Sequence, residues 1–120
     1  MPIQLKDSNN NMIPVQFLQF SGGERHVQFD ADVFDQLDPA ISIRADLHSS
    51  QDIMDYLLLE SILLQRGCLL SVEIPYFPYA RQDRICAKGQ AFSLEMMTRL
   101  MNLNMEYFPQ QRRQLTVWDA

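Results

Sequence analysis

Arg81 and Gln82 sit within IPYFPYARQDR (residues 74–84), where two prolines, three aromatic residues and two arginines share eleven positions. A guanidinium can fork onto phosphate oxygens or lie flat on a ring such as adenine, and the neighbouring amide adds donor and acceptor capacity. Pro75 and Pro78 restrict their own φ and bias the residues before them toward extended backbone, so the segment loses little entropy when a ligand arrives. The chemistry expected of it is the holding of an anion or a base. A stiff connection whose tyrosines pack on a sheet edge and whose arginines are solvated has the same composition, and residue types alone leave both readings open.

Other chemistry-bearing residues are more isolated. His26 and His48 read as strand or surface histidines, and no histidine follows Cys86 as a local base, although Arg84 and Lys88 flank it. Met96, Met97, Met101 and Met105 recur at helical spacing and read as core filler. The chain has neither a GxxxxGK[ST] phosphate loop nor a GxGxxG turn. Cys68 and Cys86 are its two cysteines, without a CxxC pair or a Cys/His cluster, which fits a reducing compartment and gives no zinc spacing. A net charge of −5 argues against bulk binding to nucleic acid or to an anionic membrane. No apolar run reaches the length of a bilayer span, and the polar start MPIQLKDSNNN is no signal peptide, so a cytoplasmic location is expected.

The elements around these residues predict one α/β domain of 120 residues. PIQLK (2–6) and IPVQFLQF (13–20) are strand-like, and DSNNN between them is turn chemistry, which predicts an N-terminal hairpin. SGGE (21–24) breaks the pattern before RHVQF, a half-buried strand, and DADVFDQLDPA reads as a loop with one helical turn. ISIRAD (41–46) is a strand. A helix follows, capped by Ser49 with Asp52 three residues on and ended by Gly67. CLLSVEI reads as a strand buried on both faces of a parallel sheet, AFSLEMMTRLMNLNM as a second amphipathic helix and LTVWD as a last strand. From residue 41 onward, strands and helices alternate, which implies a mostly parallel sheet with flanking helices and right-handed crossovers. In such sheets ligands sit outside the carboxyl ends of the strands, where residues 74–84 would lie.

Residues 74–84 closely resemble the ATP-binding signature of ribose-phosphate pyrophosphokinases, the synthetases of phosphoribosyl pyrophosphate. FSGGERHVQF is similar to that family's Phe-Ser-(Asp/Asn)-x-Glu segment and the strand after it. QDIMDYLLLESILLQRG and AFSLEMMTRLM are similar to its helices on either side of the loop, and LTVWDA to its strand ending in Asp-x-His. The resemblance runs from about Phe20 to Ala120. It implies an enzyme that transfers the β,γ-diphosphate of Mg-ATP to ribose 5-phosphate, giving phosphoribosyl pyrophosphate and AMP. Arg81 would then stack on adenine and Gln82 bond the nucleotide. Phe20 and Glu24 would close the adenine site across the interface of a homo-oligomer.

The departures from the family are also specific. A short hairpin replaces the helix that normally follows the first strand, Gly22 stands where an acid or amide is usual, and Cys86 stands where an aspartate is frequent. KGQAFS replaces a common Arg-x-Pro-Ile-Ser. The resemblance implies that Asp119-Ala120 stops one residue short of the histidine that binds the Mg-triphosphate. It further implies that the ribose 5-phosphate domain, with its catalytic loop, is absent from residues 1–120. No catalytic or metal-binding residue is therefore expected here, and the chain alone is expected to be inactive. The expectation is an N-terminal ATP-binding domain of a synthetase; a non-catalytic paralogue serving as scaffold or regulator is the alternative.

Overall fold

Ser49 and Gly67 delimit the longest helix as their chemistry demands. In the computed structural model, which describes residues 2–78 and 93–119, helix α2 runs Ser50–Arg66. The Ser49 hydroxyl accepts the Asp52 N–H at 3.1 Å. The Asp52 carboxylate in turn accepts the N–H of His48, not that of Ser49, also at 3.1 Å. Gly67 terminates the helix with φ 91°, the left-handed conformation that a side chain would strain.

Four strands form the main sheet in the order β1–β4–β5–β6: β1 (Ile3–Lys6), β4 (Ala40–Ala45), β5 (Leu69–Tyr76) and β6 (Arg113–Asp119). The last three are parallel, joined through α2 and α3 (Ser93–Tyr107), while β1 adds to the edge antiparallel to β4. The mostly parallel α/β architecture expected from the sequence is therefore present. A hairpin is present too, but between β2 (Gln16–Gln19) and β3 (Arg25–Gln28), a separate two-stranded sheet closed by Ser21–Glu24, and not between residues 2–6 and 13–20 as the sequence suggested. DSNNN does turn the chain, with the Asp7 carboxylate accepting the N–H groups of Asn9 and Asn11 at 2.9 Å. The strand before that turn nonetheless pairs with β4, because Ile3 and Leu5 there enter the same core as Ile43 and Ala45. The helical turn expected between Asp30 and Ala40 is α1 (Ala31–Asp35).

Burial of β5 on both faces is not what the structure shows. Leu70, Val72 and Ile74 are buried, whereas Leu69 and Ser71 are exposed and Glu73 is half-buried. The reason is topological. The chain steps across the sheet in one direction, from β4 to β5 to β6, and right-handed crossovers then put both helices on one side. On the other side Gln4, Ser42, Arg44, Ser71, Gln114 and Thr116 are exposed, and Arg44 pairs there with Glu73 at 3.4 Å.

The core lies between the helical side of the sheet and α2, where Tyr56, Leu59, Leu63 and Leu64 meet Ile41, Ile43, Leu70, Val72 and Ile74. Each such side chain contributes about 1.5–3 kcal/mol through removal from water. Two buried carboxylates also sit on this helix, Asp55 at 4% exposure and Glu60 at 0%. Glu60 accepts hydrogen bonds from the Tyr56 hydroxyl, from Asn104 of α3 at 3.1 Å and from Arg113 of β6 at 3.0 Å. Arg113 also donates to the Met101 carbonyl and, at 3.0 Å, to Asn102. Burial, and then the neighbouring Glu60 charge, push the Tyr56 phenol well above its ordinary pKa, so it stays a hydrogen-bond donor.

At the amino ends of the parallel strands, Asp38 ties the 7–11 turn to β4. It accepts from the Ser8 hydroxyl at 2.5 Å, the Ser8 N–H at 3.1 Å and the Ala40 N–H at 3.0 Å. The Ser8 hydroxyl foremost, then these backbone donors, hold its carboxyl below the usual carboxylate range. A depressed folded-state pKa contributes stability that is complete above the unfolded-state value and is lost as pH falls through the folded-state value. Asp38→Asn is accordingly expected to lower the melting temperature at pH 7, with the gap to the unaltered chain closing below about pH 4. Thermal melts between pH 7 and pH 2 check this. Glu60→Leu is expected to cost about 3–5 kcal/mol in urea unfolding, because it strands a buried guanidinium. Adding Arg113→Leu should recover part of that loss.

Candidate functional site

Because β4, β5 and β6 are parallel, their carboxyl ends reach the same edge. Arg44 stands beside Glu73 and Tyr76 beside Asp119. Asp46 continues from β4 there, its N–H donating to the Pro2 carbonyl at 2.7 Å. Phe77 and Pro78 continue from β5, Phe77 packed against the core and Pro78 buried. The amino-terminal turn of α2 opens on the same side, since a crossover helix runs antiparallel to the strands it joins. Residues 74–78 thus leave the sheet from a central strand, at the edge where α/β folds hold ligands. Arg81 and Gln82 themselves lie outside the described residues, as does Cys86.

Phe20 and Glu24 lie at the tip of the hairpin. The Phe20 N–H donates to the Glu24 carbonyl at 2.9 Å and the Gly23 N–H to the Phe20 carbonyl at 2.8 Å, which closes a tight turn with Gly23 at φ 93°. The Phe20 ring is 52% exposed. It stacks on His26, with centroids 5.2 Å apart and planes 29° from parallel. His26 is thus the exposed strand histidine the sequence indicated, and it also backs the aromatic ring. The Glu24 carboxylate folds over Gly22: a Cβ on Gly22 would lie 2.7 Å from its Oε1.

What holds this tip in place was missed in the sequence. Arg25 makes a two-pronged ion pair with Asp55 of α2, both bonds 2.8 Å, with the side chains 15% and 5% exposed. Val27 is buried beside it and Phe17 packs on the core. The available signal was an acid inside the apolar stripe of α2. Its arginine could not be chosen from the sequence, because the pair spans thirty positions. Cys68, at the start of β5, is buried, and burial pushes its thiol above the ordinary range, so it remains protonated. Among the described residues, no group of three or more His, Cys, Asp or Glu side chains could hold a metal ion. Among them too, no helix is long and apolar enough to cross a membrane.

Three curated relatives match this chain in sequence, each named ribose-phosphate pyrophosphokinase. The protein of Pyrococcus abyssi is 30% identical over 97 residues, covering 79% of this chain and 33% of its own length. That of Thermococcus kodakarensis is 27% identical over 105 residues, covering 86% and 36%. That of Pyrococcus furiosus is 28% identical over 91 residues, covering 74% and 31%. A matched stretch of about three quarters of the chain includes residues 74–84 wherever it starts. The chain is ribose-phosphate pyrophosphokinase-like. No family model matches it. This ribose-phosphate pyrophosphokinase-like chain spans about a third of the length of the curated relatives it matches.

The hairpin tip depends on Arg25, since a two-stranded ribbon is marginal on its own. Arg25→Ala is expected to raise amide hydrogen exchange across β2 and β3 at least tenfold while exchange in β4 and β5 stays unchanged. Exchange measured residue by residue by NMR checks this.

Proposed function

We propose that this chain is the ATP-binding domain of a ribose-phosphate diphosphokinase. The whole protein would move the diphosphate of Mg-ATP onto ribose 5-phosphate and release phosphoribosyl pyrophosphate and AMP. The observation that carries the reading is the likeness to three proteins of that name, across a stretch that includes IPYFPYARQDR. The departure of that segment from a central strand at the carboxyl edge supports it.

In this reading the Arg81 guanidinium lies on the adenine face and Gln82 bonds the nucleotide. A guanidinium over a ring is worth about 0.5–2 kcal/mol. Magnesium arrives with the triphosphate as part of the substrate, where it neutralises phosphate charge. Phe20, exposed and backed by His26, offers a second aromatic face, and Glu24 beside it offers an acceptor. Both stand on the hairpin tip, and the resemblance assigns them to the adenine site of a neighbouring subunit in a homo-oligomer. Ribose 5-phosphate and the transfer step belong to a further domain, so residues 1–120 hold one substrate and have no turnover of their own.

One feature favours the paralogue that has lost catalysis but keeps the subunit contacts. Glu24 occupies the space over Gly22 where the resemblance calls for an acid or amide side chain. Titration calorimetry with Mg-ATP separates the readings. The ATP-binding domain is expected to bind in the millimolar range or better, with Arg81→Ala weakening binding about tenfold. Absence of heat at millimolar Mg-ATP from an oligomeric sample would remove Arg81 and Gln82 from the site and leave the scaffold.

A further inference from the structure

His26 belongs to the same face of the β2–β3 hairpin as Phe20. Arg25 and Val27 turn inward, one to Asp55 and the other into the core. Strand alternation turns His26 the opposite way, where it is exposed. The register sets it across from Leu18, which makes Phe20, two residues further on, its diagonal neighbour. Phe20 in turn stands across from Glu24, joined by the 2.9 Å bond that closes the turn. Leu18, Phe20, Glu24 and His26 therefore share one outward face.

The stack between the two rings contributes little to stability, since both lie at the surface and Phe20 stays half in water. What it fixes is orientation. The Phe20 backbone is already set by the hydrogen bonds to Glu24 and from Gly23, which leaves its side-chain torsions as the remaining freedom. An imidazole 5.2 Å away and 29° from parallel covers one face of the ring and restricts those torsions. The exposure that remains belongs to the other face and the edge. His26 is itself held at a fixed height, because Arg25 immediately before it is clamped to α2 by two bonds to Asp55.

We infer that His26 is a positioning residue for nucleotide binding: it holds Phe20 in the orientation that offers its free face to a purine base, a role that rests on the adenine contact proposed for Phe20. Base, phenylalanine and imidazole then form three layers, and His26 acts on the ligand only through the ring between them. An exposed side chain that moves freely loses that freedom when a ligand settles on it, and the loss subtracts from affinity. A ring already held from behind has lost it beforehand. The back layer needs a planar face and no particular charge, so another aromatic residue can supply it and an aliphatic stub cannot.

Mg-ATP titrated calorimetrically into the full chain tests this. His26→Ala is expected to weaken binding about three- to tenfold, and His26→Tyr, which keeps a planar ring, to stay within about twofold of the unaltered chain. A double-mutant cycle gives the readout that a merely structural role would not move. In a Phe20→Ala background, His26→Ala should change nothing further. Amide exchange across β2 and β3 should stay unchanged in His26→Ala, in contrast to Arg25→Ala. If that exchange rises, His26→Thr, which favours a strand and lacks a ring, replaces it and carries the same expectation. Weakening by His26→Ala that persists without Phe20 would overturn the inference. So would full affinity in His26→Ala while Phe20→Ala loses it, and the nucleotide reading survives either result. If Phe20→Ala leaves binding unaltered, the role of His26 falls with that of Phe20, and Arg81→Ala then decides whether the nucleotide reading falls too.

Discussion

Two carboxylates buried on one helix, each answered by an arginine from a different element, organise the molecule. Asp55 and Glu60 lie on opposite flanks of the apolar stripe of α2, about 140° apart around the helix axis. Asp55 takes Arg25 from the hairpin, and Glu60 takes Arg113 from β6 together with Asn104 from α3. Hydrophobic burial between those flanks supplies most of the free energy, yet it is indifferent to small rotations and slides. The ion pairs are not, because a carboxylate left alone in that interior is far costlier than an apolar mismatch. They therefore fix the angle at which the hairpin sits on α2 and the depth at which β6 meets the sheet. Among the described residues, Arg113 Nε in the second network is buried without a hydrogen-bond partner.

The sequence was most informative where the deciding interactions are local. Ser49 and Asp52 start α2 through contacts a few residues apart, Gly67 ends it by its own backbone conformation, and the alternation in RHVQF describes β3. It misled where the outcome depends on distant partners. DSNNN has the chemistry of a hairpin turn and does turn the chain, but a turn cannot choose between β2 and β4 as the neighbour of β1. CLLSVEI reads as a wholly buried strand if only its mean hydropathy is weighed. Its order, with Ser71 and Glu73 between Leu70, Val72 and Ile74, already records one wet face.

The candidate site divides in the same way. Residues 74–84 stand out because their types are unusual for a connection, and the first of them, 74–78, lie at the edge that the strand–helix alternation indicates. Phe20 and Glu24 came from resemblance alone, since a phenylalanine before two glycines has no chemical signature of its own. The structure adds that this phenylalanine is exposed on a tip held by an ion pair thirty residues apart in sequence, and stacked on a histidine that looked idle. Neither support could be read locally, because each joins residues whose roles are defined only once the chain is folded.

The wet face of the sheet has a consequence for how the chain finds its pairing. Parallel strands buried on both sides offer little contrast between the native alignment and one displaced by a single residue, since apolar side chains land inside either way. Here that displacement would turn Arg44 or Glu73 into the core and Ile43 or Val72 out to water. Long-range parallel pairing is the slow part of folding such a domain. A sheet covered on one side only penalises misaligned intermediates as they form, so the exposed face acts as a proofreading device during assembly.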